Sequence, residues 1–171
     1  MMMQGPLGMR SLALLALMAL LVTFAQIAHA QNAGQIRQAQ GGASCPGCNL
    51  FQADFTNREM KARNFGKARL RQADMSAAVM NRTNFSGGDL RDVNAYAAVM
   101  SGANFAGADL TNATFVGAYL EGANFRGAIL TGTNFSGAEM DRAVGLTQAQ
   151  LNAACGDATT RLPRGLRLKA C

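Results

Sequence analysis

The sequence predicts an all-β solenoid, a parallel β-helix of about five coils in which each coil has four short sides of five residues. Three observations predict it. Large apolar residues recur every five positions, without insertion, from Leu50 to Met140. A small residue stands two positions before nearly every one of them. Sorted at an interval of twenty, the large residues fall into columns of one kind.

The centres of the repeat run from Leu50, Phe55 and Met60 to Leu130, Phe135 and Met140, and eighteen of the nineteen are Leu, Phe or Met. Ala95 is the exception. Two residues earlier, alanine fills twelve of nineteen positions, and Cys48, Thr83, Gly88, Val93 and Thr133 fill five more. Arg58 and Arg63 break the rule. A period of five fits neither a helix nor a long strand. Residues two apart share a face of an extended segment, so the small residue and the centre point in and the residue between them points out. The remaining two residues turn the chain. The second is often glycine, as at Gly87, Gly102, Gly107 and Gly117, where a corner needs angles other residues resist.

The interval of twenty sets the number of sides. Leu50, Leu70, Leu90, Leu110 and Leu130 form one column, and Phe65, Phe85, Phe105 and Phe125 form another. Met60, Met80, Met100, Leu120 and Met140 form a third, and Phe55, Met75, Ala95, Phe115 and Phe135 a fourth. An interval of fifteen mixes these types. Like residues therefore stack at the interstrand distance of ~4.8 Å.

The segments Ala103-Asn104-Phe105-Ala106-Gly107, Ala108-Asp109-Leu110-Thr111-Asn112 and Ala123-Asn124-Phe125-Arg126-Gly127 fit the pattern A-(D/N)-L-x-x. In this the chain resembles the pentapeptide-repeat family over residues 43–142. The resemblance implies a right-handed quadrilateral β-helix, a handedness that parallel crossovers also favour. Arg58, Arg63 and Ala95 depart from the pattern.

Taken from the start, residues 1–30 read as a secretory signal: Arg10 as the positive region, Leu12 to Phe24 as an uncharged apolar run, and Ala28-His29-Ala30 as a cleavage site. The run falls short of the ~18–20 residues of a spanning helix. The mature chain would begin at Gln31, and translation from Met9 in place of Met1 would give a more compact signal. Residues 31–42, rich in Gln and Gly, read as a flexible lead. The expected localisation is periplasmic or secreted.

Export favours disulfides for the four cysteines. Cys45 and Cys48 enter the repeat frame at the mouth of the first coil, close enough to pair. A redox C-x-x-C motif is the alternative. A haem site would need His where Asn49 stands, and a zinc site lacks further ligands. Residues 143–171 read as a C-terminal cap. Thr147-Gln148-Ala149-Gln150 is a capping box opening a short helix, Leu151 would seat on the last coil, and Gly156 would stop the helix after Cys155. Cys155 and Cys171 are the natural second pair. A bridge to the N-terminal pair would have to span the solenoid, unless the tail folds back. The tail also resembles the terminal cap of exported members of the family.

Chemistry is scarce. The one histidine, His29, lies in the signal, so Ser-His, Cys-His and His-metal constellations are missing from the mature chain. Asp89 and Asp109 fall in successive coils of one outward column, a separation that a retaining glycosidase would use. Arg69, Arg71 and Arg91 share that face, which favours a solvated ion network. Asn64, Asn84, Asn104 and Asn124 form an outward amide ladder, with a flat binding face as the alternative. Arg58 and Arg63 are costly if inward. Either an irregular first coil releases them to solvent, or they form an anion site with Lys61 and Lys67.

Val79, Val99 and Tyr119 stack in one outward column, beside Tyr96 and Val116 on the adjoining side. They are the candidate interaction surface, since exposed aromatics suit interfaces. Removing residues 1–30 takes away Arg10 and no acid, lowering the net charge from +6 to +5. The expectation is thus a non-catalytic solenoid that binds an unidentified protein and needs no cofactor or metal. No nucleic-acid partner is expected, nor a membrane span after signal removal, and the chain would be a monomer or an end-to-end dimer. Some family members imitate DNA and bind a topoisomerase; positive charge and export disfavour that role here. A carbohydrate-active β-helix enzyme is a further alternative, without a readable cleft.

Overall fold

The computed structural model describes residues 33–171. The expected signal peptide, the expected cleavage site and the choice between Met1 and Met9 lie outside them. The fold is a repeat β-helix. From Asn49 to Val144, parallel bridges join residues twenty apart, in four ladders that begin at Asn49, Asp54, Glu59 and Asn64; two further bridges, Asn134 to Cys155 and Glu139 to Arg161, join the last coil to the cap.

Each side of a coil uses its backbone in both directions. The outward residue donates back to the small residue of the preceding coil, as Val99 N does to Ala78 O at 2.8 Å. The centre donates forward, as Met100 N does to Tyr119 O at 2.8 Å. The second turn residue also donates forward, and the corner closes with a bond such as Ala103 N to Met100 O at 3.0 Å. Little backbone polarity is left to solvent between coils.

The second turn residue has positive φ throughout, from Gly47 to Gly137. Glycine is the unstrained choice. Ten other residues take the same conformation, among them Ala62, Ala77, Arg82 and Ala97 at φ 52–57°.

The centres and the small residues make one continuous core. Phe85, Phe105 and Phe125 stack with ring centres 5.3 and 5.2 Å apart, and Phe115 meets Phe105 edge-on at 5.7 Å. Such pairs contribute ~0.5–1.5 kcal/mol each beyond the area they bury. Thr83 and Thr133 are fully buried in small-residue slots, and their hydroxyls donate to Met60 O and Leu110 O, both at 2.9 Å.

The lead segment differs from expectation. Residues 33–40 form helix α1, with Ala39 fully buried and Ile36 packed against the core. The polar residues that suggested mobility instead cover the open edge of the first coil. Gln35 Oε1 accepts from Asn49 N at 2.8 Å, Gln40 Nε2 donates to Asp54 O at 2.7 Å, and Ser44 Oγ accepts from Asn64 N at 2.9 Å. An unprotected solenoid end would template pairing with another chain, and these side chains occupy it.

The other end is closed by helix α2 (Gln148–Asn152), strand β1 (Cys155–Gly156) and strand β2 (Lys169–Ala170). Thr147 and Gln150 form the capping box, and Leu151 is fully buried. The helix ends at Ala153, earlier than Gly156. Cys155 and Gly156 instead pair in parallel with Lys169 and Ala170. The physical reason is edge pairing: Cys155 N donates to Thr133 O and Phe135 N donates to Cys155 O, both at 2.9 Å, so a helical Cys155 would leave the last coil open. Among the described residues no helix is long and apolar enough to cross a membrane.

Candidate interaction surface

The five residues of the candidate surface lie on one side of the β-helix and its adjoining corner. Val79 bridges Val99, and Val99 bridges Tyr119, so the three form a row across consecutive coils. Tyr96 and Val116 occupy the first turn position of the corner that leads into this side. The valines are half-buried, whereas Tyr96 and Tyr119 are 54% and 47% exposed. Glu59 and Glu139 continue the row at its two ends, giving an apolar centre between polar flanks. The backbone N–H and C=O of Val79, Val99 and Tyr119 are bonded to the neighbouring coils, so along the row the side chains are left to make contacts. Two phenol rings on a rigid frame offer apolar area at low entropic cost.

Asp89 and Asp109 bridge each other, as the column predicts. Arg91 stands between their charges. Its Nε and Nη2 donate to the two Asp89 oxygens at 2.7 Å each, and Nε lies 3.7 Å from Asp109 Oδ2. Asp109 Oδ1 also accepts from the Thr111 N–H at 3.0 Å. The Arg91 side chain holds the Asp89 carboxyl below the usual carboxylate range. With Arg91 reaching both carboxylates, the pair forms part of an ion network.

Arg58 and Arg63 are exposed. Arg58 Nη1 donates to Gln40 O, in the last turn of α1, at 3.0 Å. A cation there complements the helix dipole and satisfies a terminal carbonyl. Of the anion site's other members, Lys61 is paired with Glu59 at 2.6 Å. Arg58 is thus engaged in holding the N-terminal helix.

Cys45 pairs with Cys48, with Cα atoms 5.5 Å apart, and Cys155 with Cys171, at 4.8 Å. Among the described residues no group of three or more His, Cys, Asp or Glu could hold a metal ion.

Two contributions go beyond the sequence expectations: the bonds of Gln150 to the last coil, and the whole role of Asp157. Gln150 serves both α2 and the last coil, donating from Nε2 to Phe125 O at 2.9 Å and Ala128 O at 2.8 Å. Asp157 Oδ1 gathers Gly137 N at 3.0 Å and Thr159 N at 2.9 Å, tying the tail to the last coil. The T-x-x-Q spacing signalled the capping half of the Gln150 role, and the D-x-T-T spacing of residues 157–160 was the available sign of the Asp157 role.

The profile of the family described as Pentapeptide repeats matches the chain in 8 copies, over residues 64–94, 89–127 and 118–155. No curated protein matches it. Among solved structures it is similar to a pentapeptide repeat protein (Rfr23) from the cyanobacterium Cyanothece 51142, at 24% identity over 76% of this chain and 98% of that one, with a TM-score of 0.34. A pentapeptide repeat protein of the Arabidopsis thaliana thylakoid lumen is 28% identical over 52% of this chain, with a TM-score of 0.27, and the present chain spans 55% of its length. A trypsin-treated form of QnrB1, a plasmid-mediated fluoroquinolone resistance protein, is 20% identical over 72% of this chain and 76% of that one, with a TM-score of 0.32.

Proposed function

The chain belongs to the pentapeptide-repeat family, and from that premise we propose that it is a non-catalytic, exported, right-handed quadrilateral β-helix that presents its tyrosine-bearing side to another protein. The observation that carries the reading is the exposure of Tyr96 and Tyr119, at 54% and 47%, beside a row of valines. Large apolar side chains left in water on a rigid face are the usual core of a recognition patch. Export follows from the signal-like residues 1–30, and places the protein in the periplasm or medium, where two disulfides persist.

The reading of the chain as a DNA imitator lacks the dense negative charge such a surface requires. The net charge is +6, or +5 without residues 1–30.

The test is capture of a partner from envelope fractions with the tagged full-length protein, after fractionation and intact mass of the product. A cleaved, oxidised protein that captures one partner, and loses it when Tyr96→Ala and Tyr119→Ala are combined, supports the proposal. A cytoplasmic, reduced product would overturn the export. Undiminished capture by the double variant would overturn the surface.

A further inference from the structure

A different side of the β-helix carries Asn64, Asn84, Asn104 and Asn124. Their amides are chained: Asn84 Nδ2 donates to Asn64 Oδ1 at 2.9 Å, and the next two steps are 3.2 Å each. Each Oδ1 also accepts the N–H two residues on, at Gly66, Ser86, Ala106 and Arg126. The acceptor capacity of Asn64, Asn84 and Asn104 is therefore filled, since an amide oxygen has two lone pairs. The nitrogens are not so used. Each Nδ2 carries two hydrogens, and the ladder employs one at Asn84, Asn104 and Asn124 and none at Asn64. The side thus turns a row of hydrogen-bond donors to solvent, one per coil, at the interstrand spacing of ~4.8 Å.

Cations frame this row. Lys67 and Arg82 are exposed, and neither has an ion pair among the described residues. They lie at the two corners of the side, and each runs its stem over a glycine of the next coil. Lys67 Cγ is 3.6 Å from where a Cβ would stand on Gly87, and Arg82 Cγ is 3.3 Å from the same point on Gly102. The apolar stems lie along the surface while the charged heads reach water. The stretches 62–68, 82–88, 102–108 and 122–128 that build this side contain no Asp or Glu. Their phenylalanines, Phe65, Phe85, Phe105 and Phe125, are fully buried, which leaves no aromatic surface there.

We propose that this side binds a linear acidic polysaccharide along the asparagine row. Donors in register with the coils suit the hydroxyl and carboxylate oxygens of a polymer of uronic acids, and Lys67 and Arg82 supply the opposite charge. A single-stranded nucleic acid would also bring anions at regular spacing. It is held by stacking its bases on aromatic rings, and this side has none to offer.

The experiment titrates the full-length protein into fluorescein-labelled polygalacturonate and follows anisotropy, with dextran and oligo-dT as competitors. Binding that dextran and oligo-dT displace poorly is the expected result. Combining Lys67→Glu with Arg82→Glu should weaken it about tenfold or more, whereas Arg164→Glu with Arg167→Glu, the same charge change in the C-terminal cap, should stay within about threefold. Matched melting temperatures of the two double variants exclude misfolding as the cause. Absence of binding, equal losses in both double variants, or tighter binding of oligo-dT would each overturn the proposal. Loss of the tyrosine pair does not enter this test, so it stands apart from the protein-binding surface.

Discussion

The side-chain nitrogen of Gln150 donates to the carbonyl of Ala128 at 2.8 Å, in the place where a further coil would have supplied a backbone N–H. The same residue's Oε1 accepts from Thr147 N at 2.9 Å and completes the helix cap. One amide thus joins α2 to the last coil. Gln150→Glu keeps the acceptor facing Thr147 and sets an oxygen against the Phe125 and Ala128 carbonyls. We expect a loss of about 2 kcal/mol, read from urea unfolding at neutral pH. A neutral effect would show that water replaces the amide at no cost.

The two buried threonines should respond unequally. Leu110 O accepts from Thr133 Oγ1 and also from Ala113 N. Among the described residues Met60 O accepts from Thr83 Oγ1 alone. Thr83→Val leaves that carbonyl unsatisfied and should cost about 1–3 kcal/mol, and Thr133→Val markedly less. Equal melting shifts would count against this account.

Ala77 and Ala97 hold φ at 53° and 52° with no side-chain hydrogen bond to favour it. Glycine there removes the steric cost of the left-handed conformation and adds some unfolded-state entropy. Ala77→Gly and Ala97→Gly should each stabilise by about 0.5–1 kcal/mol. Gly107→Ala, at φ 67° with nothing within 4 Å of the added carbon, should destabilise through the backbone alone. Thermal melts of the three variants decide the point.

The Asp157 carboxyl is held at about 2, against an ordinary 3.8, first by the hydrogen bond from the Thr159 side chain and then by the Gly137 N–H. A carboxyl whose value falls on folding stabilises the fold above the unfolded value and ceases to do so as pH drops through the folded one. The tie between tail and last coil should therefore weaken from about pH 3.8 down to about pH 2. Hydrogen exchange at the Gly137 amide should quicken across that window, and Asp157→Asn should remove the pH dependence. An amide equally protected at both ends of the window would refute the link.

Reduction of Cys155–Cys171 opens a loop with a sequence separation of 16. Its chain-entropy contribution is about 3 kcal/mol, and that of Cys45–Cys48, three residues apart, is smaller. Cys155→Ser with Cys171→Ser should lower the melting temperature more than Cys45→Ser with Cys48→Ser. The reverse order would point to a larger role for the first coil.

The repeat was readable because each pentad has one job per position, and the job selects the residue type. Leucine over leucine and phenylalanine over phenylalanine follow from packing between identical neighbours. The ends escaped because their work is done by polar side chains against bare backbone, which has no periodicity. Gln35 and Gln40 look like a soluble lead in sequence and prove to be edge caps. A capping box precedes Cys155 and predicts a helix there, yet the open edge of the last coil takes it up as strand. Of the candidate surface, the column Val79, Val99, Tyr119 could be listed once the interval was known, and the half-exposure of its tyrosines could not.

The interval of twenty between bridged residues also constrains how such a chain can evolve. A duplication or deletion of twenty residues adds or removes one coil and leaves every column intact. A change of five or ten is equally silent in reading frame and in local pattern, yet it rotates the following columns by one or two sides, setting phenylalanine over leucine and tyrosine over asparagine. Lineages descended from this sequence should therefore differ in length by whole coils, with the two capped ends inherited as fixed bookends around a variable number of turns.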